Sequence, residues 1–295
     1  GAADTTAVTV SGWTTAQLNY FRVYTPTAAT EVGISQRHAG KWDNGKYALS
    51  ITGAVNLVIS VNYLHLDGLQ VNTDFSNNTL TQSVNVTNIN SSSSLVKISN
   101  NIVTYSNSPG ACRGIFINDS QVNANINNNI IYSSSGDIGN GIEFLSSVSG
   151  NQYVYNNTIS GVYTAFIGKV SSADNLVLKN NIAQCTDTSC YWYSFGTSST
   201  NNLSNRASNA PGQNPQDSKT VSFVDSANKD FHLATSDTAA KNSGADLSAD
   251  TNLAFSTDID GETRKERWDI GADEDNNLTV EIKRGVNFKP GAKFK

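Results

Sequence analysis

The stretch VKISNNIVTYS, residues 96–106, decides the fold, because the chain writes it again as ANINNNIIYSS (124–134), QYVYNNTISGV (152–162) and, more loosely, LVLKNNIAQCT (176–186). Each copy centres on an Asn pair: Asn100-Asn101, Asn128-Asn129, Asn156-Asn157 and Asn180-Asn181. The pairs lie 28, 28 and 24 residues apart, and a repeat of roughly 20–50 residues is the signature of a solenoid or a related array. Before each pair runs an alternating segment (Val96, Ile98; Ala124, Ile126; Val154; Leu176, Leu178), which reads as a strand with one buried face. A second short strand follows around Ile102-Val103, Ile130-Ile131, Ile159 and Ile182. RGIFIN (113–118), NGIEFL (140–145), YTAFIG (163–168) and CYWYSF (190–195) supply a third.

Three strands and three corners in 24–28 residues describe one turn of a parallel β-helix. A single turn cannot bury its own inner face, but stacked turns share one core. Asn suits the corner because it tolerates a left-handed backbone better than other non-glycine residues. Its amide also donates and accepts, so equivalent Asn side chains on turns about 4.8 Å apart can bond into a ladder. Glycosylation does not explain the pattern, since only Asn156 of the four pairs begins an Asn-x-Ser/Thr sequon. VNYLHLDGLQV (61–71) fits the same unit, with Asp67-Gly68 at the corner and Leu64 and Leu66 inward.

Composition agrees with an all-β chain. Of 295 residues, 37 are Asn and 22 are Gly, only 15% are charged and none is Met; Asn, Ser and Thr favour turns over helix interiors. No apolar run is long enough for a membrane span. The net charge of -5 argues against a nucleic-acid partner. The charge is uneven: residues 281–295 carry five basic side chains and one acidic one. The expected organisation is therefore a parallel β-helix over 1–205, a segment over 206–275 that packs on and closes it, and a basic β-like tail over 276–295. Phe223, Phe231, Leu233 and Trp268 are the expected apolar anchors of the middle segment.

The Asn-corner repeats make the chain resemble the right-handed parallel β-helix proteins of the pectate-lyase-like superfamily. DIDGETRKERWDIGADE (258–274) similarly resembles the closing motif of bacterial β-helix surface proteins. The resemblance implies a secreted or cell-surface protein. The superfamily includes polysaccharide lyases and hydrolases, so the acids deserve a test. The acids between residues 100 and 200 do not form a column, although a pair such as Glu143 with Asp119 could in principle do hydrolytic acid-base work across neighbouring turns. Aligning the third strands puts Phe116, Glu143 and Phe166 at one outward position and Asp119, Ser146 and Lys169 at another. Ordinary solvated surface is the preferred reading of these residues, because nothing in the sequence marks a cleft or a perturbed acid.

Sugar binding needs less than cleavage: aromatic faces for CH groups and amides for hydroxyls. Tyr153 and Tyr155 project outward beside Lys179, and Tyr191, Trp192, Tyr193 and Phe195 form a second aromatic group; structural stacking between turns is the slightly preferred reading, and Tyr153, Tyr155, Lys179, Tyr191 and Trp192 are the candidate carbohydrate contacts. Arg37, His38, Lys41, Trp42 and Asp43 crowd one stretch, read as a structural loop covering the first turns. Cys185 and Cys190 can bridge across CTDTSC, whereas Cys112 reads as buried. DIDGE lacks the later ligands of a calcium loop and His232 is remote in sequence, so neither a metal nor a cofactor is assigned. The expected function is a non-catalytic exported domain for surface structure, adhesion or assembly with weak glycan binding. The expected partners are a surface polysaccharide or a second copy engaged through the tail. The alternative is a lyase or glycoside hydrolase acting on an acidic polysaccharide.

Overall fold

The computed structural model describes residues 3–276 apart from short stretches at 54, 56, 77–81, 90, 108–111, 136–138, 146–148 and 170–172. Nearly all of the basic tail lies outside the described residues. The chain builds three parallel sheets of seven, six and seven strands, stacked as a β-solenoid. Sheet 1 runs from Val8–Ser11 to Tyr191–Trp192, sheet 2 from Phe21–Tyr24 to Leu176–Lys179, and sheet 3 from Ala48–Thr52 to Leu203–Ser204. Every full turn visits the sheets in that order. Inward residues alternate as the pattern requires: Leu64, Leu66, Val96, Ile98, Ile126, Val154 and Leu178 are all fully buried. Each such side chain contributes roughly 1.5–3 kcal/mol by leaving water.

The Asn pairs sit at the corner between sheets 2 and 3, and their two members do different work. The first member takes the left-handed backbone: φ is 56° at Asn100, 54° at Asn128, 50° at Asn156 and 55° at Asn180. The second points into the turn and forms the ladder. Asn101 Nδ2 donates to Asn129 Oδ1 (2.9 Å), Asn129 to Asn157 (2.9 Å), and Asn157 to Asn181 (3.0 Å). Each Oδ1 also accepts the backbone N–H of the preceding turn's ladder Asn. The ladder has a fifth rung, Asn202, bonded by Asn181 at 3.0 Å, and Asn201 beside it has φ 51°.

At the same corner one turn earlier stands Gly68 with φ 74°. A Cβ there would meet Arg37 Nη1 at 2.0 Å. Arg37 occupies that space and bonds the Thr25 carbonyl and Asp67. The rest of its loop is structural, as expected: His38 Nε2 donates to the Asn100 carbonyl, and the Asp43 backbone exchanges bonds with the Gln70 amide.

Residues 206–276 begin as an irregular continuation of the rungs, with Gln213 bridging Thr200 and Gln216 bridging Leu203. An antiparallel pair follows, Phe223–Asp225 with Asp230–Leu233. The chain then lies lengthwise along the Asn corner as a strap. From Asn128 onward the outer Asn of each pair staples it, whereas Asn100 donates to Asp67: Asn128 donates to the Thr257 carbonyl, Asn156 to those of Asp269 and Gly271, Asn180 to Ala245 and Asn201 to Ser243. Phe231, Leu233 and Trp268 are buried in this contact, and Phe223 is half-buried. Arg264, with a fully buried side chain, latches the strap to itself and to the rod. It donates to Asn128 Oδ1, to the Gly271 and Ala272 carbonyls and to Glu274.

One expected register is corrected. Phe166 pairs with Ile142 rather than Glu143 and is fully buried, so Ile167 takes the outward position beside Glu143. This turn is shorter than its predecessors, and a slip of one residue exchanges the two faces of a strand.

Candidate functional site

The outer face of sheet 2 carries a column across six turns. Arg22 pairs with His65, His65 with Lys97, Lys97 with Asn125, Asn125 with Tyr153 and Tyr153 with Val177. The strap divides this face. Over the last turns it buries Tyr155 and Val177 beneath Leu247 and Trp268. Over the first turns the face is open and holds two depressions. One, of about 390 Å³, is lined by Tyr20, Arg22, His65, Asp67 and Lys97. The other, of about 330 Å³, is lined by Tyr63, Leu95, Asn125, Tyr153 and, from the strap, Asn252. Both volumes fall at the small end for ligand sites.

The first depression is positively charged. Asp67 is its single carboxylate among the described lining residues, and it is already engaged: Arg37 lies at 3.3 Å, Arg22 at 3.5 Å, and Asn100 Nδ2 donates to it at 2.8 Å. Burial alone would raise the Asp67 pKa, but the Arg37 guanidinium and the bonds from Arg37 and Asn100 hold it below the usual range. His65 stacks on Tyr20 with ring centroids 3.8 Å apart. Burial, then the charges of Lys97 and Arg22, push its pKa down to about 4, so the ring is neutral at pH 7. Arg22 lies over the Tyr24 ring, 3.6 Å from its centroid.

Of the five expected sugar contacts, Tyr153 lines an open depression. Tyr155 is fully buried, and Lys179 Nζ is paired with Asp250 of the strap at 2.6 Å. Tyr191 is 4% exposed and stacks on Phe166 inside the solenoid. Trp192 is exposed, on sheet 1, away from Tyr153. Sequence reasoning passed over Arg22, Lys97 and Asn125 as a group because they belong to three different turns. Their shared outward position was the available signal.

The acid pair weighed for hydrolysis is committed elsewhere. Glu143 bonds Arg113 Nε at 2.8 Å and Asn140 Nδ2 at 2.9 Å, and Asp119 accepts the backbone N–H groups of Ile89 and Gln121. Lys169 is buried and donates to Asn175. Cys185 and Cys190 are joined as a disulfide, and Cys112 is buried. His232, which sequence distance seemed to isolate, converges with Asp260 and Asp273 so that one ligand atom of each lies within 4.8 Å of the others.

No helix among the described residues is long and apolar enough to cross a membrane. No protein-family model matches the chain, and a search of curated proteins finds no significant match.

Proposed function

We propose that this protein is a non-catalytic, exported β-helix domain that serves surface structure or adhesion and holds an acidic polysaccharide along the open half of sheet 2. The observation that carries the proposal is the outward column of Arg22, His65, Lys97, Asn125 and Tyr153, flanked by Tyr20 and Tyr63. Aromatic faces suit sugar CH groups, amides suit hydroxyls, and the two cations suit carboxylates or sulfates. The strap supplies a wall through Asn252. The Cys185–Cys190 bridge supports an oxidising compartment and hence export. The solenoid, with the latch around Arg264, supports membership of the pectate-lyase-like β-helix proteins and a closing role for the DIDGE to DIGADE stretch. The basic tail, argued from its sequence alone, adds self-association or attachment to anionic polymer.

The second reading is a polysaccharide lyase. It is favoured by one observation, a neutral imidazole at His65 between the cations of Arg22 and Lys97. A ring with a pKa of about 4 is a poor base for taking a proton next to a carboxylate, which puts this reading second. Lys97→Ala and Tyr153→Ala test the proposal by titration with acidic glycans. Each variant should bind about tenfold more weakly, equivalent to ~1.4 kcal/mol, without loss of fold. Equal binding by both variants and the native chain would place the glycan elsewhere.

A further inference from the structure

We infer that His232, Asp260 and Asp273 form a site for a divalent transition ion of the zinc class, which clips the strap together where it meets the first-turn loop. The three residues come from three separate stretches: the strand Asp230–Leu233, the DIDGE loop and the DIGADE stretch. Folding brings one ligand atom of each within 4.8 Å of the others. Donors about 2.1 Å from one ion in tetrahedral geometry stand ~3.4 Å apart, so the widest pair closes by at most about 1.4 Å, a distance that rotation of a carboxylate side chain covers.

The histidine is set up as a ligand. Its Nδ1 bonds Asp230 Oδ1, which leaves Nε2 facing Asp260 Oδ2 at 2.9 Å. A carboxylate behind one ring nitrogen, with the other nitrogen turned toward further donors, is the outer-shell arrangement that orients metal-binding imidazoles. Asp273 is buried and fixed by the Leu233 N–H at 2.7 Å. Asp260 hangs from a loop pinned by Asp258, whose Oδ1 accepts the N–H groups of Asp260 and Glu262. Backbone shields one side: a Cβ on Gly40 would meet Asp260 Oδ1 at 2.2 Å and His232 Nε2 at 2.4 Å. The other side opens on a cavity of about 420 Å³ that Glu262, Glu274 and Asp275 also line.

An imidazole nitrogen with two carboxylates suits zinc and its neighbours, whereas calcium and magnesium take all-oxygen sets. Binding replaces the proton between His232 Nε2 and Asp260; that proton leaves to solvent as the ion bonds to both. The inference is independent of the glycan reading.

The test uses the untagged full chain, stripped with a chelator and titrated first with Zn²⁺. Saturable binding of one ion per chain and a raised unfolding temperature are expected. Asp260→Asn should abolish both, and Asp230→Asn should weaken binding about 10–100-fold. Co²⁺ supplies a readout on the native chain that does not depend on a variant folding. Of the three histidines in the sequence, His232 alone should show a large paramagnetic shift of its ring signals. Absence of saturable Zn²⁺ binding, shifts centred on His38 or His65, or unchanged affinity in Asp260→Asn would each overturn the inference.

Discussion

At the scale of single residues, the Asn pairs solve two problems with one side chain each. The inner Asn satisfies buried backbone at a corner that leaves the sheet ladder, and it does so identically on successive turns. Asn157 accepts from the Asn129 backbone and side chain and donates to Asn181 Oδ1 and to the Ile126 carbonyl. Asn157→Ala would strand the buried Asn129 backbone N–H, at roughly 1–3 kcal/mol, and remove the side-chain bonds to Asn129 and Asn181, while Asn129 Nδ2 keeps the Ile98 and Asn127 carbonyls. A loss of about 3 kcal/mol is expected in denaturant unfolding, with little change in the denaturant dependence. His38 makes a different prediction. Burial, then the Arg37 charge, lowers its pKa from 6.5 to about 4 while Nε2–H donates to Asn100. The unfolded ring binds a proton that the folded ring refuses, so its contribution is complete above pH 6.5 and is lost as pH falls toward 4. Its order of magnitude is ~3 kcal/mol. Unfolding measured across that range should fall less steeply with acid in His38→Gln, and equal slopes would refute the assignment.

At the scale of elements, the sheets were legible because inward positions such as Leu64, Leu66, Val96 and Ile98 recur with a strict period of two. The corner was legible for the same reason, down to Gly68 standing where later turns place Asn. The slip at Phe166 was not, because a shortened turn moves the register without altering the local alternation. The strap was illegible in its path, because carbonyls of Thr257, Ser243 and Ala245 receive the outer Asn side chains and carry no side-chain signature. That also decided the fate of the candidate site. Tyr153 and Tyr155 look equivalent by period, yet the strap buries one and leaves the other open. Asn156→Gly keeps the left-handed backbone and removes the staple to Asp269 and Gly271 together with the bond that Asn156 Oδ1 accepts from Asn180 Nδ2. Amide exchange should rise over residues 240–275 and stay unchanged in the Asn101 to Asn181 ladder. Exchange that rose equally in both would mean that strap and rod open as one unit.

At the scale of the whole molecule, a rod stiffened by a buried amide ladder carries a strap along one edge. The strap decides which part of sheet 2 meets solvent. The exposed part is cationic and aromatic although the chain as a whole is acidic, with a net charge of -5. On the proposed function, that contrast would retain an anionic polymer by local charge, and such binding would be sensitive to salt. The first-turn loop, the latch at Arg264 and the His232 cluster lie along the same strap and hold it in register with the groove. The most direct measurement incubates the full chain with a panel of neutral and acidic polysaccharides, following both retention and the appearance of new chain ends. Salt-sensitive retention of acidic glycans with no unsaturated or reducing ends released is the predicted result. Release of such ends would establish a lyase or hydrolase and contradict the account, as would failure to retain any glycan.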